Sequence, residues 1–160
     1  MDKSKPILVT GATGYIAGWI IERLLNQGYN VHATVRDPSK KNKIQHLYDL
    51  ADKSSGQIQF FKADLLESGS FDEAMQGCEI VIHTASPFVV TNYKDAVKDI
   101  IEPAVKGTEN VLDSVNRTES VKRVVLTSSI ASTYGDAVEI QNTANNEFDE
   151  SHWNNTSSET

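Results

Sequence analysis

The stretch Thr10-Gly11-Ala12-Thr13-Gly14-Tyr15-Ile16-Ala17 decides how the rest of this 160-residue chain is read. It follows a short apolar run, Ile7-Leu8-Val9, and opens a segment with apolar residues at helical spacing: Ile16, Ile20 and Leu24, flanked by Ala17, Ile21 and Leu25. Strand, glycine turn and helix in that order bring backbone N–H groups close to a phosphate, and the helix amino terminus favours its negative charge. Ala17 at the third small position lets the helix lie against the strand. A glycine turn alone is often only geometry. Its place between a strand and an amphipathic helix argues for dinucleotide binding.

Further apolar runs at Val31–Val35, Ile58–Phe61, Ile80–Ile82 and Val124–Leu126 alternate with helical patterns, as successive βαβ units do. Several are continuously apolar, which suits strands covered on both faces. The expected fold class is therefore α/β, a doubly wound parallel sheet of five strands. Gly28 is placed to end the first helix left-handed. Asp37-Pro38-Ser39 reads as the cap of a second helix whose inner face carries Ile44, Leu47, Tyr48 and Ala51. Ser70 and Glu73 have capping-box spacing ahead of Ala74 and Met75, and Gly77 stops that helix. Pro103 marks a first turn, with Val105, Thr108, Val111, Leu112 and Val115 expected to face inward.

The composition limits the alternatives. Fifteen basic and 22 acidic residues give a net charge of −7, which disfavours general affinity for nucleic acid or anionic lipid. Cys78 is the only cysteine, so no intrachain disulfide and no multi-cysteine metal site can form. The amino-terminal apolar run is too short for a signal-peptide core or a membrane span, and a cytoplasmic protein without a metal is expected. From about Glu139 the text turns polar and asparagine-rich. Two regions are expected: a cofactor-binding domain over 1–138 and a polar loop over 139–160.

Residues at the carboxyl ends of the strands are the candidates for chemistry, since ligands of doubly wound sheets bind along that edge. Arg36 ends the second strand where an acidic residue would grip a ribose, and its planar fork of donors suits a 2′-phosphate. With Lys43 a turn away it favours NADP, while the neighbouring Asp37 keeps NAD open. Asp64 and Leu65 follow the third strand and could border adenine, although Asp64 could instead merely cap the next turn. Thr84, Ala85 and Ser86 follow the fourth strand, near the nicotinamide ribose. His83 reads as a strand-end histidine with a local hydrogen bond. After the fifth strand, Thr127-Ser128-Ser129 offers hydroxyls able to hold a carbonyl. A serine hydrolase is disfavoured because Gly-x-Ser-x-Gly is absent.

Together, Thr10–Ile16, Ala33-Thr34-Val35-Arg36-Asp37-Pro38, Lys62-Ala63-Asp64-Leu65, His83-Thr84-Ala85-Ser86-Pro87-Phe88 and Leu126-Thr127-Ser128-Ser129 resemble the extended short-chain dehydrogenase/reductases. The nearest branch is the dihydroflavonol 4-reductase, cinnamoyl-CoA reductase and aldehyde reductase group. The resemblance implies a Rossmann fold and NADPH-dependent reduction of an aldehyde or ketone. It implies that Gly11, Ala12, Thr13, Gly14, Tyr15 and Ile16 hold the pyrophosphate, Arg36 and Lys43 the 2′-phosphate, and Asp64 and Leu65 the adenine side. Thr84, Ala85, Ser86 and Thr127 would border the ribose and nicotinamide, and Ser129 matches the catalytic serine.

Two positions depart from the family pattern. Its Tyr-x-x-x-Lys pair does not occur: the residues four beyond Tyr15, Tyr29, Tyr48, Tyr93 and Tyr134 are Trp19, Ala33, Asp52, Val97 and Val138. Tyr134 stands where plant dihydroflavonol reductases carry a substrate-facing asparagine. The 160 residues are thus expected to be the amino-terminal part of a longer enzyme, without its last strands and substrate lobe. Such a segment would expose Arg123-Val124-Val125-Leu126 as an edge, inactive alone and prone to self-association. The rival readings are a nucleotide-sugar epimerase or dehydratase, a hydroxysteroid dehydrogenase, and a non-catalytic module that senses dinucleotide.

Overall fold

A computed structural model describes residues 2–87 and 94–158. Phe88 of the fourth motif and Tyr93 lie outside the described residues. By compactness the chain divides into two units, residues 1–126 and 127–160. The change in composition near 139 falls inside the second unit.

The first unit holds the expected sheet. Strands β1 (Ile7–Thr10), β2 (Asn30–Val35), β3 (Gln57–Lys62), β4 (Ile80–His83) and β5 (Arg123–Leu126) lie in the order β3-β2-β1-β4-β5. Every pairing is parallel. Helices α1 (Tyr15–Asn26), α2 (Lys41–Ala51), α3 (Asp72–Met75) and α4 (Glu102–Arg117) make the crossovers, α4 being preceded by a π-helical turn at Val97–Ile101.

Strand side chains alternate between faces, so the sheet separates two cores. On one face Val9, Val31, Ala33 and Val35 meet Ala17, Ile21 and Leu25 of α1 and Ile44 and Leu47 of α2. On the other, Leu8 and Val81 meet Phe71, Ala74 and Met75 around α3 and Val111 of α4. Each large apolar side chain taken from water here contributes about 1.5–3 kcal/mol. Buried parallel strands have no solvent face, which is why β1 is buried at all four positions. The edge strands β3 and β5 are not covered in the same way, and Val125 and Leu126 are 47% and 53% exposed.

Four local expectations are corrected. Asp37 does not cap α2, which begins at Lys41 with Lys40 as its cap residue. Instead the Asp37 carboxylate closes its own turn, accepting from Ser39 N and Ser39 Oγ. Tyr48 is not on the inner face of α2: it is exposed, with its ring tilted against Phe60 at 4.9 Å. Ser70 forms no capping box with Glu73, because its hydroxyl is engaged by the Asp64 backbone, donating to the carbonyl and accepting from the amide.

The fourth correction concerns α4. Val105 and Leu112 are exposed, and the inward positions are Gly107, Asn110, Val111 and Ser114. Asn110 is buried because its amide finds three backbone partners in the loop after β3: it accepts from Gly69 N and donates to the Leu65 and Glu67 carbonyls. Gly107 lets Leu65 approach so closely that a Cβ there would lie 2.9 Å from the Leu65 Cβ.

The second unit contains only short 3-10 turns at Ile130–Ser132, Ala137–Asn142 and Ala144–Asn146 among its described residues. Polar bonds hold it together. Asn154 donates from its backbone to the Ser132 carbonyl and from its side chain to the Ala131 carbonyl. Tyr134 stacks on Phe148 at 4.4 Å.

Candidate functional site

The strand order reverses direction between β1 and β4, and in a doubly wound sheet that switch point opens a crevice at the carboxyl ends of the strands. Gly11 and the segment Thr84-Ala85-Ser86 lie on its two sides. Gly11 has φ +69°, a conformation that L side chains adopt only with strain, and a Cβ on it would approach the Ala85 Cα to 3.0 Å. Ala12 is buried and its amide donates to the Thr34 carbonyl, while the Gly14 amide closes the turn on the Gly11 carbonyl.

The remainder of the loop faces outward. Thr13, Gly14, Tyr15 and Ile16 are all exposed. Gly14 is the cap residue of α1 in extended conformation, no side chain caps the helix, and no acidic residue stands in its first turn. A helix start left without a side-chain acceptor is a site of partial positive charge with N–H donors to offer. The turn can therefore accept an anion in the place a capping side chain would take.

Thr10, at the end of β1, ties this turn to the loop after β4. Its Oγ1 accepts from Thr84 N at 3.1 Å and Ala85 N at 3.0 Å. Both lone pairs are thereby used, so its one proton goes to His83 Nδ1 at 2.7 Å. The imidazole carries its proton on Nε2. Burial also holds the His83 pKa below its ordinary value, and the neutral ring fits the acceptor role. The Thr84 hydroxyl completes the clasp by donating to the Thr10 carbonyl at 2.6 Å. Sequence reading passed over Thr10. The signal for it was a buried hydroxyl closing an otherwise apolar strand, a group that needs partners.

At the end of β2, Arg36 is exposed, as is Lys43. Asp37 Oδ1 accepts from Ser39 N and Ser39 Oγ, and its Oδ2 lies 3.5 Å from Lys40 Nζ. The Ser39 bonds hold its carboxyl below the usual range. After β3, Asp64 accepts from Leu66 N through Oδ1, which stiffens its own turn, and Leu65 packs against α4. In the second unit Thr127 and Ser129 are exposed. Ser129 Oγ accepts from Ala131 N at 3.2 Å, starting the short 3-10 turn and leaving its own O–H available to donate. Ser128 shares a 3.2 Å hydrogen bond with Ser132.

A parallel sheet with a glycine turn at the β1/β4 switch point is the architecture of the doubly wound, Rossmann-like α/β class. Residues 7–158 match the family model described as NAD dependent epimerase/dehydratase family, and the chain belongs to that family, the extended short-chain dehydrogenase/reductases. It is 54% identical over 125 residues to cinnamoyl-CoA reductase CAD2 of Medicago truncatula, covering 78% of this chain and 38% of that protein. It is 41% identical over 152 residues to a dihydroflavonol 4-reductase of Gerbera hybrida, covering 95% and 40%. Yeast methylglyoxal/isovaleraldehyde reductase Gre2, solved in complex with NADPH, superposes with a TM-score of 0.76 at 31% identity, covering 95% of this chain and 44% of that one. The chain thus spans less than half the length of each of these relatives. Among the described residues no helix is long and apolar enough to cross a membrane.

Proposed function

We propose that this chain is the NADPH-binding part of a reductase acting on aldehyde or ketone carbonyls. The observation that carries the reading is the approach of Gly11 to Ala85 beside the uncapped start of α1, which leaves a turn shaped for a pyrophosphate at the sheet's switch point. NADPH is favoured over NADH because Arg36 offers an exposed guanidinium, while Asp37, the residue that could have gripped a ribose, is turned onto Ser39 and paired with Lys40. The NADPH complex of the similar yeast reductase supports the same cofactor.

In this reading the turn from Gly11 to Ile16 holds the pyrophosphate through the amides it does not use itself, those of Thr13, Tyr15 and Ile16; Arg36 and Lys43 hold the 2′-phosphate, and Asp64 and Leu65 bound the adenine side. Thr84, Ala85 and Ser86 border the nicotinamide half, and Thr127 is assigned to it by the family resemblance alone. Reduced nicotinamide, when bound, supplies hydride. Ser129 donates a hydrogen bond to the substrate oxygen, where negative charge develops. The similarity to cinnamoyl-CoA and dihydroflavonol reductases favours small, carbonyl-bearing substrates. The exposed edge of β5 gives the chain a surface for self-association.

Titration of the protein with NADPH and NADH, followed by calorimetry, tests the cofactor reading. Arg36→Ala should weaken NADPH by about 1.5–3 kcal/mol, the worth of a charge-assisted phosphate contact, and leave NADH nearly unchanged. Equal losses for both cofactors would remove Arg36 from the site.

A further inference from the structure

The turn that carries Arg36 also carries a hydroxyl to which the cofactor reading gives no contact with the cofactor. Ser39 is exposed, lies between Pro38 and the start of α2, and has Arg36 three residues before it and Lys40, Lys41 and Lys43 after it. Its Oγ donates to Asp37 Oδ1 at 2.6 Å and its amide donates to the same oxygen at 3.0 Å. Asp37 is therefore the hinge of the turn, and Ser39 supplies two of the donors that hold it.

The geometry points to Ser39 as a phosphorylation site whose occupancy closes the chain to NADPH. A guanidinium three residues ahead of an exposed serine suits the acidic cleft of arginine-directed protein kinases. In the transfer the Ser39 O–H gives its proton to the kinase's base. Oγ then bonds to the γ-phosphorus of ATP, the bond from that phosphorus to the bridging oxygen breaks, and ADP leaves. Two consequences follow at the turn. The Ser39 hydroxyl no longer donates to Asp37, and a group of about −1.5 to −2 charge stands beside a carboxylate that is ionised at neutral pH. The same group offers three acceptor oxygens to the cations of the segment, among them Arg36 and Lys43, which the proposed reading gives to the 2′-phosphate of NADPH. Phosphoserine and the 2′-phosphate thus compete for one set of partners, whereas NADH carries no phosphate there.

This inference rests on the assignment of Arg36 and Lys43 to the 2′-phosphate. The test incubates the chain with ATP and an arginine-directed kinase, maps the product by mass spectrometry, and titrates unmodified and phosphorylated protein with NADPH and with NADH. One phosphate on Ser39, absent from Ser39→Ala, should weaken NADPH by about tenfold or more and leave NADH within about twofold. Ser39→Ala itself should keep NADPH binding. Failure of the kinase to modify Ser39, or unchanged NADPH binding by the phosphorylated chain while Arg36→Ala weakens it, overturns the switch alone. If Arg36→Ala also leaves NADPH binding intact, the 2′-phosphate assignment fails and takes the switch with it.

Discussion

Gly11 and Ala85 touch backbone to backbone where β1 and β4 end, so closely that a single added methyl on Gly11 would sit 3.0 Å from the Ala85 Cα and 3.3 Å from its nitrogen. Neither side has a flexible atom that could yield. Gly11→Ala must therefore adopt a left-handed backbone with a Cβ, at about 1–2 kcal/mol, and also push the two loops apart. Dinucleotide binding should fall with it. Gly18→Ala, in the body of α1 with nothing within 4 Å, is the matched control and should raise stability by about 0.5–1 kcal/mol. Thermal denaturation beside dinucleotide titration measures both, and a Gly11→Ala protein of unchanged stability would show that the contact is looser than described.

Thr10→Val replaces the hydroxyl by a methyl of similar shape and strands three partners at once: the Thr84 and Ala85 amides and His83 Nδ1. Unmet buried groups cost about 1–3 kcal/mol each, and with relaxation of the loop the loss should be on the order of 3 kcal/mol. Thr10→Ser, which keeps the oxygen, should recover most of it. Urea unfolding of the three proteins distinguishes a hydroxyl effect from a packing effect, because a packing effect would make Ser the worse substitution.

The pH dependence of folding should carry the mark of His83. Burial lowers its folded pKa below the ordinary 6.5, so the unfolded chain takes up the proton more readily. Stability is then full above 6.5 and declines as pH falls through the window beneath it. The depressed carboxyls of Asp37, Asp72 and Asp149 act in a separate range, their contribution being lost only as pH falls below 3.8. His83→Gln keeps an acceptor for Thr10 and removes the titration, so the decline just below 6.5 should flatten. An unaltered profile would place the responsible group elsewhere.

The loop after β3 depends on one side chain of α4. Asn110→Leu keeps the volume but leaves the Gly69 amide and two carbonyls without their partner, and should cost about 2–4 kcal/mol by calorimetric unfolding. A neutral result would mean that water takes over these groups.

Asn110 also shows where reading from sequence stops. The five strands were legible because continuous apolar runs separated by helical patterns have few other uses in a chain of this composition. The inner face of α4 was not, because periodicity ranks Val105 and Leu112 above Asn110 and Ser114, and the groups that make Asn110 welcome inside lie 41 to 45 residues away. The same distance hid Thr10, whose partners are 73 to 75 residues on. Asp37 was misread for a local reason: turn closure and helix capping use the same Asp-Pro-Ser signature, and only the position of Lys40 separates them. The glycine turn and Arg36 stand out in the sequence because their spacing is distinctive, whereas the clasp that ties the turn to the loop after β4 is written in contacts.

Self-association is the remaining expectation with a simple readout. β5 presents Val125 and Leu126 at 47% and 53% exposure on an edge with no strand beyond it among the described residues, and unpaired N–H and C=O groups on an apolar edge template pairing with another chain. Light scattering should show a mass that rises with protein concentration. Val125→Lys puts a charge on that edge without touching either core, and it should return the chain to a monomer while leaving its unfolding midpoint and its NADPH titration in place. A wild-type chain that stays monomeric at every concentration would mean that the edge is covered, and the exposed face of α4 around Val105 and Leu112 could then be tested by the same substitution.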